Sequence, residues 1–166
     1  PQAILQSLAL AQLAEEAGIP PGVFNVVTTD RDGAAEVGEA LCTDPRVRKV
    51  GFTGSTAVGK HVMSLASSTV KRVSLELGGN APFIFFEDAN LDLAMRGIMV
   101  SKFRNAGQTC ICANRIFVHR SRLTEFTEAL LPKVRGLTLG SGFERGVTTG
   151  PLINDRAIQR AHGLVT

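Results

Sequence analysis

Two side chains in this sequence have the chemistry of a nucleophile and of a base, Cys110 and Glu76. Cys110 lies in a polar, glycine-containing stretch, residues 102–114 (KFRNAGQTCICAN), which suits a reactive thiol better than a packed one. Because an unperturbed cysteine has a pKa of about 8.5, a nucleophilic Cys110 needs a positive environment or a base. Glu76 is a candidate for that base, since it precedes two glycines at the end of an apolar run. Taken alone, Glu76 would more simply be a carboxylate on the surface rim.

A glycine-rich stretch nearer the amino end, GFTGSTAVGKH at residues 51–61, has the composition of a phosphate-binding turn. Residues 54–60 fit the P-loop pattern G-x-x-x-x-G-K, but His61 stands where the Mg²⁺-binding Ser or Thr belongs. A second interpretation is a purely structural corner between a strand and a helix. In a third, a helix that starts at Ser55 and Thr56 offers unpaired N–H groups to a pyrophosphate without any metal. The spacing leaves these alternatives open, because the dinucleotide fingerprint G-x-G-x-x-G is missing.

The hydrophobic pattern alternates between helical and strand periodicity along the chain. It predicts helices over residues 2–17, 34–41, 56–66, 90–104 and 121–135 and from 154 onward, with caps at Asn90 and Ser121, and strands over residues 23–27, 47–52, 70–77, 82–86 and 116–119. This alternation implies parallel strands with helices on the sheet faces. Glu76 then lies at the carboxyl end of a strand, where open α/β sheets bind ligands. The Gly-Gly pair at residues 78–79 is expected to mark a domain border.

Composition and charge narrow the class of protein. The chain is 44% hydrophobic and 20% charged, and its net charge of +3 comes from scattered basic residues, which argues against nucleic-acid binding. No apolar run approaches the roughly 20 residues of a membrane span. Three cysteines, an odd number, favour a reducing compartment over a secreted disulfide framework, and Cys42 is expected to be a buried packing residue. Because the chain begins at Pro1 and stops within a predicted helix, we expect a piece of a longer protein.

Three segments resemble motifs of the aldehyde dehydrogenase superfamily: SLELGGNAPFIFFEDANLD at residues 74–92, KFRNAGQTCICANR at residues 102–115 and FTGSTAVGK at residues 52–60. The resemblance covers essentially the whole chain, and its LELGG and GQTC motifs are highly specific. The Arg104-Asn105 pair and the C-x-C spacing are similar to the succinate-semialdehyde dehydrogenase branch of the family.

This resemblance implies a fold and a division into domains. The fold is α/β, the three-layer αβα fold of aldehyde dehydrogenases, in which a Rossmann-like parallel sheet is followed by an α/β catalytic domain. Residues 1–78 match the end of the NAD(P)-binding domain and residues 79–166 the start of the catalytic domain. Both domains are incomplete in this chain, so the segment by itself is expected to be inactive.

The resemblance also implies the reaction. Cys110 matches the nucleophile that attacks an aldehyde to form a thiohemiacetal, and hydride transfer to NAD(P)⁺ then leaves a thioester. Glu76 matches the general base that activates the hydrolytic water. The backbone N–H of Cys110 matches half of the oxyanion hole. No metal is implied.

The glycine-rich stretch matches the family's cofactor turn. Ser55 matches the pyrophosphate contact, Gly54 allows the turn, and Val58 matches a position near the adenine. Leu77 and Gly78 also match positions that contact NAD or NADP. In this interpretation His61 is no defect, and Lys60 is a solvated helix residue.

Arg104 and Cys112 extend the resemblance beyond the shared chemistry. Arg104 matches a guanidinium that clamps a second carboxylate on the substrate, which would make that substrate succinate semialdehyde, an intermediate of GABA degradation. By chemistry alone Arg104 is more often a surface residue at a helix end. Cys112 either packs beside the loop or forms a strained, easily reduced disulfide with Cys110 that switches the enzyme off.

Other expectations follow from the family, and two alternatives stay open. The complete enzyme is expected to be a homodimer or homotetramer that takes a small-molecule aldehyde and has no membrane or nucleic-acid partner. It would be intracellular, cytoplasmic in a bacterium and mitochondrial in a eukaryote. One alternative is a sibling enzyme for another small aldehyde, including an acyl-CoA-forming one, although Glu76 favours hydrolysis. The other is a P-loop nucleotide-binding module or a non-catalytic scaffold.

Overall fold

The computed structural model describes residues 4–166, which form two compact units. The first unit ends at Leu77 and the second begins at Gly78. The first two residues of the helix predicted over 2–17, Gln2 and Ala3, lie outside the described residues. None of the helices that the structure describes is both long and apolar enough to cross a membrane.

The first unit is built on a pair of parallel strands. Its elements in chain order are helix α1 (Ile4–Glu16), helix α2 (Ala34–Thr43), strand β1 (Lys49–Gly54), helix α3 (Thr56–Ser67) and strand β2 (Arg72–Leu77). The two strands pair in parallel with a continuous register from Lys49 beside Arg72 to Gly54 beside Leu77. Parallel strands need a crossover, and α3 supplies it, with Gly59, Val62 and Ala66 on its buried side.

The second unit repeats the parallel arrangement. Its elements are strand β3 (Ala81–Phe85), helix α4 (Leu91–Ile98), a π-helical turn (Met99–Phe103), a 3₁₀ turn (Arg104–Gly107), strand β4 (Ala113–Val118), a 3₁₀ turn (Arg120–Arg122), helix α5 (Leu123–Arg135) and helix α6 (Asp155–His162). Strands β3 and β4 pair in parallel from Ala81 beside Ala113 to Phe85 beside Val118.

A small aromatic and aliphatic core holds the second unit together. Phe85 of β3, Met95 and Ile98 of α4, and Phe126 of α5 are all buried in one cluster. The rings of Phe85 and Phe126 lie 5.1 Å apart at a tilted angle, a favourable aromatic geometry. Helix α4 packs here because its apolar residues recur at helical spacing, and because the Asn90 side chain caps it by accepting from the Leu93 N–H at 2.9 Å.

Some of the predicted boundaries are wrong. The chain over residues 23–27 forms no strand, since none of the described strands pairs with it, and Val23 and Val27 stay 70% and 78% exposed. The last helix ends at His162 and does not run on to the last residue. Ser121 does not cap α5, which begins two residues later. Its hydroxyl lies 2.8 Å from His119 Nδ1 and donates to Glu87 instead.

The predicted helix over 90–104 also differs from the structure. Its α-helical part stops at Ile98, and the chain continues through the π-helical and 3₁₀ turns. The π-helical turn spans only five residues, too few for its wider turn to show in the apolar pattern, so the pattern alone predicts one continuous helix. The extra turn matters because it leads directly into the loop that carries Cys110.

The aromatic core should dominate the stability of the second unit. We expect Phe85→Ala to lower the free energy of unfolding by about 3–5 kcal/mol. Phe85 is only 1% exposed, so the loss of its ring would leave a cavity in the core. Phe143→Ala is the matched control, since that ring is fully exposed at 103%, and should change the free energy by less than about 0.5 kcal/mol. Urea denaturation measures both. Equal losses in the two variants would contradict the assignment of the core.

Candidate active site

The register of β1 and β2 brings two of the predicted motifs to one edge of the first unit. Gly54, at the end of β1, lies beside Leu77, and Thr53 lies beside Glu76. Both strands therefore end together, and the carboxylate of Glu76 is exposed at this edge. The carboxyl ends of parallel strands are where open α/β sheets bind ligands. Sequence reasoning placed Glu76 at a strand end, and the pairing adds its position next to the glycine-rich turn.

The start of α3 has the donors that a diphosphate requires. The Ser55 side chain accepts from the Val58 N–H at 3.3 Å, and the Ser55 carbonyl accepts from the Gly59 N–H at 2.9 Å. Within the described residues this leaves the N–H groups of Thr56 and Ala57 without acceptors, at the positive end of the helix dipole. A serine hydroxyl that accepts one bond still has its own proton to donate. These groups fit the phosphates of NAD or NADP.

Two glycines let this edge pack closely. A Cβ added to Gly59 would lie 2.7 Å from Leu77 Cδ2, so a larger residue there would require the Leu77 side chain to move. A Cβ added to Gly54 would lie 2.4 Å from the ring of Phe52. Gly54 does not have a positive φ. Its expected role, to allow the turn, stays a prediction.

Cys110 is exposed on a loop of unusual backbone conformation. Asn105, Ala106 and Gly107 have successive φ angles of 54°, 55° and 74°, all in the left-handed region. Glycine adopts this region freely and asparagine tolerates it, but alanine rarely does. The loop is therefore a constrained element, set by its surroundings, rather than a relaxed connection.

Hydrogen bonds hold the loop in this conformation. Asn105 Nδ2 donates to the Gln108 carbonyl, and Gln108 Nε2 donates back to the Asn105 carbonyl, each at 3.1 Å. Gln108 Oε1 also accepts from the Ile153 N–H at 2.9 Å, which ties the loop to a distant part of the chain. The two polar side chains Asn105 and Gln108 thus fix the backbone around Cys110.

The Gly-Gly turn lies against the same loop. Asn114 Nδ2 donates to the Gly79 carbonyl at 3.3 Å, and Arg115 donates to the Asn80 carbonyl at 2.8 Å. A Cβ on Gly79 would lie 3.8 Å from the Cys110 carbonyl oxygen. Within the second unit, Gly79 and Asn80 are therefore adjacent to residues 110–115, because β3 and β4 begin side by side.

Cys112 is packed beneath the loop. It is 3% exposed, and its Sγ lies 3.6 Å from the Lys102 carbonyl and 3.7 Å from Lys102 Nζ. Both Cys110 and Cys112 are free thiols. This is the packing expected in the first interpretation of Cys112, and the disulfide with Cys110 stays a prediction. Cys42 is buried, as its predicted helix implied.

Arg104 lies on the wall of a cavity in the second unit. The cavity has a volume of about 520 Å³, and its other lining residues include Ile111, the neighbour of Cys110. Arg96 lines it too, a residue that sequence reasoning overlooked. No local signal distinguishes it, because its place beside Arg104 depends on the path of the chain through the π-helical and 3₁₀ turns. Among residues 4–166, no group of three or more His, Cys, Asp or Glu side chains could hold a metal ion.

Comparison with known proteins extends these observations. A mitochondrial succinate-semialdehyde dehydrogenase from Rattus norvegicus is 58% identical over 158 residues, which are 93% of this chain and 30% of the rat protein. A 3-sulfolactaldehyde dehydrogenase from Pseudomonas putida is 55% identical over 159 residues, which are 96% of this chain and 32% of that protein. The chain thus spans about a third of the length of these relatives.

Solved structures share the fold. An NADP-dependent enzyme of E. coli matches with a TM-score of 0.90 at 51% identity, over 95% of this chain and 32% of that chain. A betaine aldehyde dehydrogenase from Staphylococcus aureus, solved in complex with NAD⁺, matches with a TM-score of 0.86 at 33% identity, over 96% and 31%. The predicted α/β fold with parallel strands is confirmed, and the resemblance to the succinate-semialdehyde branch with it. The aldehyde dehydrogenase family model matches residues 1–166, so this chain belongs to the aldehyde dehydrogenase family.

Proposed function

We propose that this chain supplies the nucleophile and the base of an NAD(P)-dependent aldehyde dehydrogenase that oxidises succinate semialdehyde to succinate. The first unit would be the end of the NAD(P)-binding domain and the second the start of the catalytic domain. The observation that carries the proposal is the exposed Cys110 thiol on a loop fixed by hydrogen bonds beside Gly79. The family match leaves the P-loop interpretation of residues 54–60 without support.

Cys110 would begin the reaction as a thiolate. It attacks the aldehyde carbon, and the carbonyl oxygen gains the negative charge of a tetrahedral thiohemiacetal. The backbone N–H of Cys110 has no acceptor within the described residues, so it is free to donate to that oxygen. The fixed loop matters here because an oxyanion donor is effective only when it is held in place before the reaction.

Glu76 would complete the reaction. NAD(P)⁺, when bound, accepts the hydride that leaves the substrate carbon. The acyl group on Cys110 is then a thioester, and a water that loses its proton to Glu76 hydrolyses it to the acid and the free thiol. An exposed carboxylate at a strand end can exchange that proton with solvent between turnovers.

Five residues would hold the cofactor. Ser55 and the N–H groups at the start of α3 suit the diphosphate, and the remaining contacts of the proposed cofactor site are Gly54, Val58, Leu77 and Gly78. Both forms of the cofactor fit this proposal, since one structural neighbour is named as NADP-dependent and another contains NAD⁺.

An anionic group on the substrate would bind Arg104. Succinate semialdehyde carries a carboxylate, and 3-sulfolactaldehyde, the substrate in the name of the Pseudomonas relative, carries a sulfonate. A guanidinium donates to either group. The second candidate substrate is therefore 3-sulfolactaldehyde, and both candidates share an aldehyde at one end and an anion at the other.

The proposed oligomeric state and cell compartment are those that the family resemblance implies. The complete enzyme would be an intracellular homodimer or homotetramer. The rat relative is named as a mitochondrial protein, which suits the mitochondrial alternative if this protein is eukaryotic.

The role of Cys110 is tested by replacing it in the complete polypeptide that carries this chain. We expect Cys110→Ala to lower NAD(P)H formation from succinate semialdehyde by at least about a thousandfold, because the covalent route is lost. Cys42→Ala is the control, since Cys42 is a buried thiol of α2, and should keep kcat within about twofold of the parent. Full activity in Cys110→Ala would refute the mechanism.

The role of Arg104 is tested by comparing substrates with and without the anion. Arg104→Gln should lower kcat/KM for succinate semialdehyde by about 10–100-fold, since a hydrogen bond to a charged group contributes roughly 1.5–3 kcal/mol. The kcat/KM for butanal, which carries no anion, should be unchanged. The kcat/KM of the parent enzyme for 3-sulfolactaldehyde, compared with its value for succinate semialdehyde, shows which of the two candidate aldehydes is the better substrate. Arg135→Gln, at the exposed end of α5, is the matched control. Equal losses for charged and uncharged aldehydes would exclude the substrate assignment while leaving the mechanism intact.

A further inference from the structure

A second arginine, Arg96, lines the cavity beside the Cys110 loop. We propose that Arg96 is a second binding contact for the anionic tail of the substrate, further from Cys110 than Arg104, which makes the enzyme accept longer aldehydes with a terminal acid. This inference rests on the proposed function, because it assumes that an aldehyde reaches Cys110 through this cavity.

Helix α4 and the π-helical and 3₁₀ turns that follow it form most of the wall of the cavity. Its lining residues are Leu93, Arg96, Gly97, Val100, Ser101, Arg104 and Ile111. Six of these form two sets with a spacing of four residues along the chain. One set is Arg96, Val100 and Arg104, and the other is Leu93, Gly97 and Ser101. The guanidinium groups of Arg96, on α4, and Arg104, at the start of the 3₁₀ turn, therefore line a single cavity together with Val100.

The charge in this cavity is not compensated. No acidic side chain lines it, and neither Arg96 nor Arg104 forms an ion pair or a side-chain hydrogen bond with any of residues 4–166. Asp92 precedes Arg96 by one helical turn, but it is outside the cavity lining and forms no ion pair with it. Two exposed guanidinium groups without partners create a positive field that favours an anionic ligand.

The rest of the wall strengthens that preference. Leu93, Val100 and Ile111 are apolar, and Ser101 carries the lining's single hydroxyl. Apolar walls lower the local dielectric and focus the field of the arginines into the cavity. They also suit the methylene chain that joins an aldehyde to a distant acid, since that chain is itself apolar.

The order of the residues gives the cavity a direction. Ile111 adjoins Cys110 and marks the end where the aldehyde reacts, and Arg104 is six residues before Cys110. Arg96 lies eight residues further back along the chain, on α4. A short acid would therefore bind Arg104, and a longer acid would extend its carboxylate toward Arg96.

Two matched pairs of aldehydes test this inference in the complete enzyme. The pair 4-oxobutanoate and butanal has four carbons, and the pair 6-oxohexanoate and hexanal has six. We expect Arg96→Gln to lower kcat/KM for 6-oxohexanoate about tenfold, through a higher KM with kcat unchanged. The values for hexanal, butanal and 4-oxobutanoate should stay within about twofold. Adipate, a six-carbon diacid that cannot react, should also inhibit the variant less strongly than the parent enzyme.

The controls separate this inference from the proposed function. Arg135→Gln should leave all four kcat/KM values unchanged, and circular dichroism should show that Arg96→Gln is folded, since Arg96 is an exposed helix residue. If Arg96→Gln leaves 6-oxohexanoate unaffected, or affects hexanal equally, the inference is wrong while the proposed function stands. If the parent enzyme oxidises none of the four aldehydes, the proposed function is wrong and the inference is overturned with it.

Discussion

Three consecutive residues in the left-handed backbone region, Asn105, Ala106 and Gly107, determine where the Cys110 thiol lies. They end the helical run that begins with α4 and lead the chain into the loop that carries Cys110. The conformation costs roughly 1–2 kcal/mol for a residue with a side chain, so it persists only because its surroundings stabilise it. The reciprocal hydrogen bonds of Asn105 and Gln108 and the buried Cys112 below the loop supply that stabilisation.

The parallel pairing of the strands positions the other residues of the candidate site. In the first unit the register brings Gly54 beside Leu77, so that a turn and a carboxylate-bearing strand end at the same edge. In the second unit Ala81 pairs with Ala113, which sets the segment after the Gly-Gly pair against the loop before β4. Each pairing joins residues that are more than twenty positions apart, and each does so through backbone hydrogen bonds that depend little on side-chain identity.

The sequence predicted the parts of the site that depend on local chemistry. Asn90 as a helix cap follows from its side-chain oxygen, and the exposure of Cys110 follows from the polar, glycine-containing loop around it. The roles of Glu76 and Cys110 came from a resemblance to a family, and their exposure is what those roles require. The alternation of elements also sufficed for parallel strands, because a helix between two strands imposes that direction.

What the sequence could not predict depends on partners that are distant along the chain. Residues 23–27 have the composition of a strand, but a strand forms only where another pairs with it. The π-helical turn spans only five residues, too few to alter the apolar pattern, and so leaves no local signal. Arg96 has the appearance of any solvated helix residue, and its proposed role depends on Arg104 and Ile111, which line the same cavity.

The most direct measurement of the central claim is to trap the acyl group on the enzyme. The complete protein with Glu76→Gln, in which hydrolysis should be slow, is mixed with succinate semialdehyde and NAD(P)⁺, quenched in acid and digested with trypsin. Tandem mass spectrometry of the peptide of residues 105–115, which contains both Cys110 and Cys112, then locates the adduct. The account predicts a succinyl group on Cys110 and an unmodified Cys112. Turnover by the parent enzyme with Cys110 unmodified in the trapped variant, or with the adduct on Cys112, would contradict it.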